Sequence, residues 1–106
     1  MRLTAVTLLA ALAPSTAAAW PTPPAWWLRD AACIRSHEGW PTAATGNGYE
    51  GSYQFTRRTW LAVGGTVDAR GHWASVASLA EQTYRAWLLW RRYGWSPWPT
   101  RRLCGL

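Results

Sequence analysis

The chain has 106 residues and a formal net charge of +6, and all 11 of its basic residues (histidines aside) are arginine, set against five acids. That length holds one small domain rather than several. Ten tryptophans help to fill the core of so small a domain, and the basic excess favours anionic partners such as nucleic acid, lipid headgroups or an anionic cell wall.

Residues 1–19 read as a signal peptide. Arg2 supplies the charge, 3–13 are mostly apolar, and Ala17-Ala18-Ala19 is a small-residue cleavage site. The apolar run is shorter than the roughly 20 residues of a membrane span. A retained anchor is the alternative, and no later stretch is expected to insert stably in a membrane. Residues 20–29 form a lead-in and the start of the first helix, and 30–106 form the main domain. An exported protein meets cell wall rather than nucleic acid, so no nucleic-acid partner is expected. Cys33 and Cys104 then read as a disulfide, adding about 4 kcal/mol in the chain-entropy model. Free thiols and metal ligation are the alternatives, but only His37 and His72 remain to complete a metal site. No metal and no cofactor are expected.

"WPTPP" (20–24) is a stiff, extended entry, and Pro24 suits the start of a helix running to Glu38, with Gly39 as its stop. Trp27, Ala31, Ile34 and Glu38 fall on one side of the helical wheel, so Glu38 continues an apolar stripe. Trp40 to Gly48 reads as a loop. Tyr49 to Phe55 alternates like a short strand or hairpin arm, weakened by its glycines. Thr56 caps a second helix to about Val63. Val67 to Trp73 is irregular. Ser78 and Glu81 form a capping box that opens a helix to Tyr93, with Leu79, Ala86, Trp87 and Trp90 on its apolar face. The proline-rich tail from Trp95 predicts no regular structure. The fold class is therefore α+β, mainly helical, with one short β-hairpin.

Glu38 is the leading chemical candidate. A buried stripe and a helix C-terminus both disfavour a charged carboxylate, and a general acid that breaks a glycosidic bond must hold its proton. A solvated helix-end glutamate is the other reading. Glu50 is a possible secondary acid of a glycosidase pair, although an exposed hairpin acid is the more ordinary reading. Gln54 can both donate to and accept from a sugar. Trp27, Trp60, Trp87 and Trp90 suit a core, whereas Trp40, beside Glu38, suits a cleft where a flat ring stacks on a sugar. His37 points away from Glu38.

Cys33, Glu38, "TGNGYEGSYQF" (45–55), "TW" (59–60), "GG" (64–65), "AEQ" (80–82) and the tryptophan-proline and cysteine-glycine pairs of 95–105 resemble the catalytic domain of the resuscitation-promoting factors. These are transglycosylase-like proteins of the lysozyme superfamily. The resemblance covers about 30–105. It implies a small lysozyme-like domain and a secreted or wall-associated enzyme cleaving the β-1,4 bond from N-acetylmuramic acid to N-acetylglucosamine. Glu38 matches the catalytic glutamate. Thr45, Tyr49 and Gln54 match positions lining the glycan cleft, and Asn47 of the same block joins them as substrate-binding. Peptidoglycan strands are then the partner, a peptidoglycan endopeptidase is a candidate partner because family members can cooperate with one, and a monomer is expected. Many members place the cysteine directly before the glutamate and follow it with Ser-Gly-Gly. Here four residues intervene and "GWP" follows, while the tail is three residues longer, so the expected disulfide moves back by one helical turn. A non-catalytic peptidoglycan-binding module and a Trp- and Arg-rich membrane-active protein are the competing readings.

Overall fold

The computed structural model describes residues 19–106. The expected signal peptide, apart from Ala19, lies outside the described residues. Three α-helices carry the fold: α1 (Ala25–Glu38), α2 (Arg57–Ala62) and α3 (Leu79–Tyr93). A 3-10 turn (Ala74–Val76) precedes α3, and a 3-10 helix (Pro99–Cys104) ends the chain. No helix among the described residues is long and apolar enough to cross a membrane.

The helices start and stop where the sequence predicts. Pro24 sits at the N-cap of α1, and its carbonyl accepts from Trp27 N and Leu28 N, both at 3.0 Å. Thr56 caps α2, its hydroxyl oxygen accepting from Thr59 N at 3.2 Å. Ser78 does the same for α3 with Glu81 N at 3.1 Å. The reciprocal arm of a capping box is replaced: the Glu81 carboxylate accepts from Arg85 Nε at 2.7 Å, one turn on.

Two expectations need correction. The β-hairpin is not present as strands among the described residues. Glu50 instead makes isolated antiparallel bridges to Ala44 and to Phe55, around a turn at 51–54. Glycines at 46, 48 and 51 all take positive φ, which breaks the extended run that alternation alone suggested. The tail is not irregular either. Pro99 opens its 3-10 helix, where a missing N–H costs nothing, and α1 packs against this helix.

The core is built on the predicted stripe. Trp27, Ala31 and Ile34 of α1 are fully buried, with Tyr53, Phe55, Trp60, Ala86, Leu89 and Trp98 around them. Trp87 and Trp90 are only partly buried against this core. They stack on each other at 5.2 Å, and Trp27 stacks on Trp95 at 5.5 Å. Large rings thus fill a small interior that aliphatic residues would leave thin. The lead-in is held as well. Arg85, buried and bonded to the Val63 carbonyl at 2.6 Å, lies 5.0 Å from the Trp20 ring and 5.3 Å from the Trp60 ring.

Cys33 of α1 and Cys104 of the C-terminal 3-10 helix form a disulfide, with Cα atoms 5.9 Å apart. The shifted cysteine and the longer tail therefore compensate. The crosslink stands one turn before Glu38 and fixes the tail beside it.

Candidate active site

Glu38 ends α1, half-buried, on the stripe that buries Trp27, Ala31 and Ile34. Its Oε1 accepts a 2.7 Å hydrogen bond from the Thr100 hydroxyl. The helix therefore sets the position of this carboxyl, and the disulfide-pinned tail sets its orientation. Beside it opens a cleft of about 340 Å³ lined by Glu38, Tyr49, Gln54, Pro97, Trp98, Pro99 and Thr100. Glu38 is the one acid among these residues.

Two walls form the cleft. On one side stands the glycine-rich turn, with Tyr49 exposed and Gln54 half-buried. Gln54 adopts φ +51°, a left-handed backbone conformation that costs a residue with a side chain roughly 1–2 kcal/mol. Its backbone N–H and its side-chain amide both donate to the Gly51 carbonyl, at 3.2 and 3.0 Å, and this hold keeps the conformer. Such strain beside a candidate acid marks a position fixed by more than local preference. On the other side stands the tail, tied to the turn by Trp98 Nε1 donating to the Tyr53 carbonyl at 3.0 Å.

Gln82 of α3, fully buried, supports the turn from behind. Its Oε1 accepts from Ser52 N at 2.8 Å, while its Nε2 donates to the carbonyls of Pro41 and Ala77 at 2.9 and 3.0 Å. One amide side chain thus joins the loop after Glu38, the turn and the approach to α3. Gly51 lets it come this close: it has φ +80°, and a Cβ there would collide with the Gln82 side chain.

Trp40 is 66 % exposed and does not line the cleft. Thr45 is exposed and outside the lining, and so is Asn47, whose Oδ1 accepts from Tyr49 N at 3.1 Å and shapes the turn. His37 is exposed and lies near the sulfurs of Cys33 and Cys104. Because both sulfurs are joined in the disulfide, that cluster offers an imidazole alone and not a ligand set.

Glu50 departs from the ordinary reading of an exposed hairpin acid: it is only 4 % exposed. Its Oε1 accepts from Ser75 Oγ, Trp73 N and Ser75 N at 2.6, 2.8 and 3.3 Å, and its Oε2 pairs with His72 Nδ1 at 2.8 Å. Burial pushes its pKa up, but the bonds from Ser75, His72 and Trp73 outweigh burial and hold it below the ordinary glutamate value. This carboxylate anchors the 72–75 segment and does not line the cleft with Glu38. It lines a neighbouring cavity of about 300 Å³, and Tyr49 stands on the walls of both.

Thr100, Trp98 and the prolines around them were not legible as site residues. Their contacts with Glu38 and Tyr53 span 62 and 45 positions of sequence, and local pattern carries no trace of them.

Residues 24–101 match the family model described as a transglycosylase-like domain. The chain is also similar to the resuscitation-promoting factor Rpf of Micrococcus luteus, with 42 % identity over 73 residues. That match takes in 69 % of this chain and 30 % of the relative, so the chain spans less than a third of the protein it resembles.

Proposed function

Because this chain belongs to the transglycosylase-like domain family, we propose that it cleaves the glycan strands of peptidoglycan, with Glu38 as general acid and then base. The observation that carries this reading is the cleft itself: one carboxyl, held by Thr100, faces a groove with Tyr49 and Gln54 on its far wall.

The bond attacked is the β-1,4 link from N-acetylmuramic acid to N-acetylglucosamine. Glu38 gives its proton to the glycosidic oxygen as the C1–O bond breaks. The carboxylate left behind accepts the proton of the muramyl 6-hydroxyl as that oxygen bonds to C1, closing a 1,6-anhydro ring. Water in place of the hydroxyl would give a hydrolase. Two-carboxylate glycosidases set a second acid across the bond, and the burial of Glu50 among its own donors favours the single-acid route. Tyr49 offers a flat face to a sugar and Gln54 a donor and an acceptor. Thr45, Asn47 and Trp40 would contact the strand beyond the cleft.

The protein acts outside the cell on this reading, after cleavage near Ala19, as a monomer at the wall. A role in resuscitation and cooperation with a peptidoglycan endopeptidase follow from the same likeness. Turnover of purified peptidoglycan by the wild type beside Glu38→Gln is the test. We expect soluble fragments from the wild type alone, one water lighter than hydrolysed ends if the anhydro ring forms. A folded wild type that binds the wall without releasing fragments would make the domain a binding module instead.

A further inference from the structure

A second pocket, of about 310 Å³, lies between the lead-in, α1 and α3 and shares no lining residue with the cleft. Its walls are mostly apolar, with Trp20 and Pro21 of the lead-in, Leu28 of α1 and Leu79 of α3 among them. Arg35 and Thr83 also line it, and no acid does.

Arg35 is the unusual member. Its Nε is buried and has no hydrogen-bond partner, and the side chain makes no ion pair among the described residues. The Tyr53 ring lies 6.0 Å from the guanidinium carbon. Desolvating a guanidinium donor without an acceptor is costly, and native folds leave few such groups. Thr83 adds a hydroxyl to the same wall, 3.1 Å from Tyr53 OH and able to donate or accept.

We propose that this pocket binds the free carboxylate of a short alanine-rich peptide, such as the peptide stems carried by a peptidoglycan strand. A single cation suits a monoanion, the planar fork of arginine suits a carboxylate, and the apolar walls suit methyl side chains. The volume is that of a small-ligand site. The position suits a stem attached to a strand in the cleft. Arg35 precedes Glu38 by about 4.5 Å along the helix axis, and Tyr53, beneath Arg35, is the neighbour of Gln54. The carboxylate chemistry stands on the pocket alone, whereas the stem as its source rests on the substrate proposed above.

The test is titration of the full disulfide-bonded chain with N-acetyl-D-alanyl-D-alanine, its C-terminal amide and its L,L isomer, followed by calorimetry and by the Trp20 indole NMR signal. The D,D acid should bind at least about tenfold more tightly than the amide, and Arg35→Gln should remove most of that difference. Ala80→Phe, which fills the pocket from α3 without touching the charge, should also abolish binding if Arg35→Gln does not fold. Equal affinity for acid and amide, no binding at all, or binding unchanged by both variants would overturn the proposal. A preference for the L,L acid would overturn the stem as its source. Wall turnover without peptide binding refutes this pocket alone, whereas peptide binding without turnover supports it and refutes the activity proposed for the cleft.

Discussion

Replacing Glu50 separates an anchor from a catalyst. Four bonds converge on its buried carboxylate, three on Oε1 and one on Oε2. Glu50→Ala strips an acceptor from two backbone N–H groups, a hydroxyl and an imidazole, and we expect a loss of about 3–5 kcal/mol. A domain this small has only a few kcal/mol beyond that in total, so the variant should be marginally folded. Glu50→Gln behaves differently. Its carbonyl can face Trp73 and Ser75, and its NH2 can face His72 Nδ1, which accepts in one neutral tautomer. Every partner stays bonded, and what is lost is the charge on the acceptor, about 1–3 kcal/mol. Urea unfolding at pH 7, with wall turnover measured beside it, checks both. The carboxylate's pKa is lowered on folding, so its contribution is complete above the unfolded value and drains away as pH falls below about 4.5. Wild type should therefore lose stability in that acid range, and Glu50→Gln should lose less. A Glu50→Gln protein as stable as wild type but unable to cleave peptidoglycan would refute the reasoning, because the carboxylate would then belong to the chemistry.

Removing the crosslink with Cys33→Ser and Cys104→Ser should cost about 4 kcal/mol in denaturant unfolding, given the 71-residue separation of the two cysteines. A loss below about 1 kcal/mol would mean that the unfolded chain is already compacted. Gly51→Ala meets both a positive φ and the Gln82 side chain, so it should destabilise by about 2–4 kcal/mol and lower the melting temperature by 10 °C or more, roughly, for a domain of this size. Thr100→Val keeps the shape and removes the donor to Glu38. Turnover should fall by about 3–10-fold with the melting temperature little changed, as the loss of one hydrogen bond to a carboxyl predicts.

What could be read from sequence was local. The Trp27-Ala31-Ile34-Glu38 stripe, the Thr56 and Ser78 caps and the Gly94 stop depend on neighbours within a turn or two, and each is in its predicted place. The glycine-rich block stands out in the sequence, but its alternation predicts a strand. The backbone there follows its glycines and Gln54 into positive φ instead. The burial of Glu50 is not visible in the sequence, because its partners lie at 72–75, beyond any periodic pattern. Trp40 follows Glu38 closely in sequence, yet the chain leaves α1 at Gly39 in an extended conformation and carries that ring out into solvent. The half of the cleft built by the tail rests on long-range ties, the Cys33–Cys104 bond and the Trp98–Tyr53 hydrogen bond, which local pattern does not position.

That bond also changes the connectivity of the molecule. From Cys33 to Cys104 the polypeptide is a closed ring that contains α2, α3 and both cleft walls. The exposed turn around Asp68, Arg70 and Gly71 is where a protease that cuts after arginine would enter. A single cut there opens the ring without dividing the molecule, and the acid on α1 stays covalently joined to the helix that bears Thr100. Nicked and intact forms would weigh almost the same and separate only under reducing conditions, so the molecule can lose a peptide bond there and still keep its cleft.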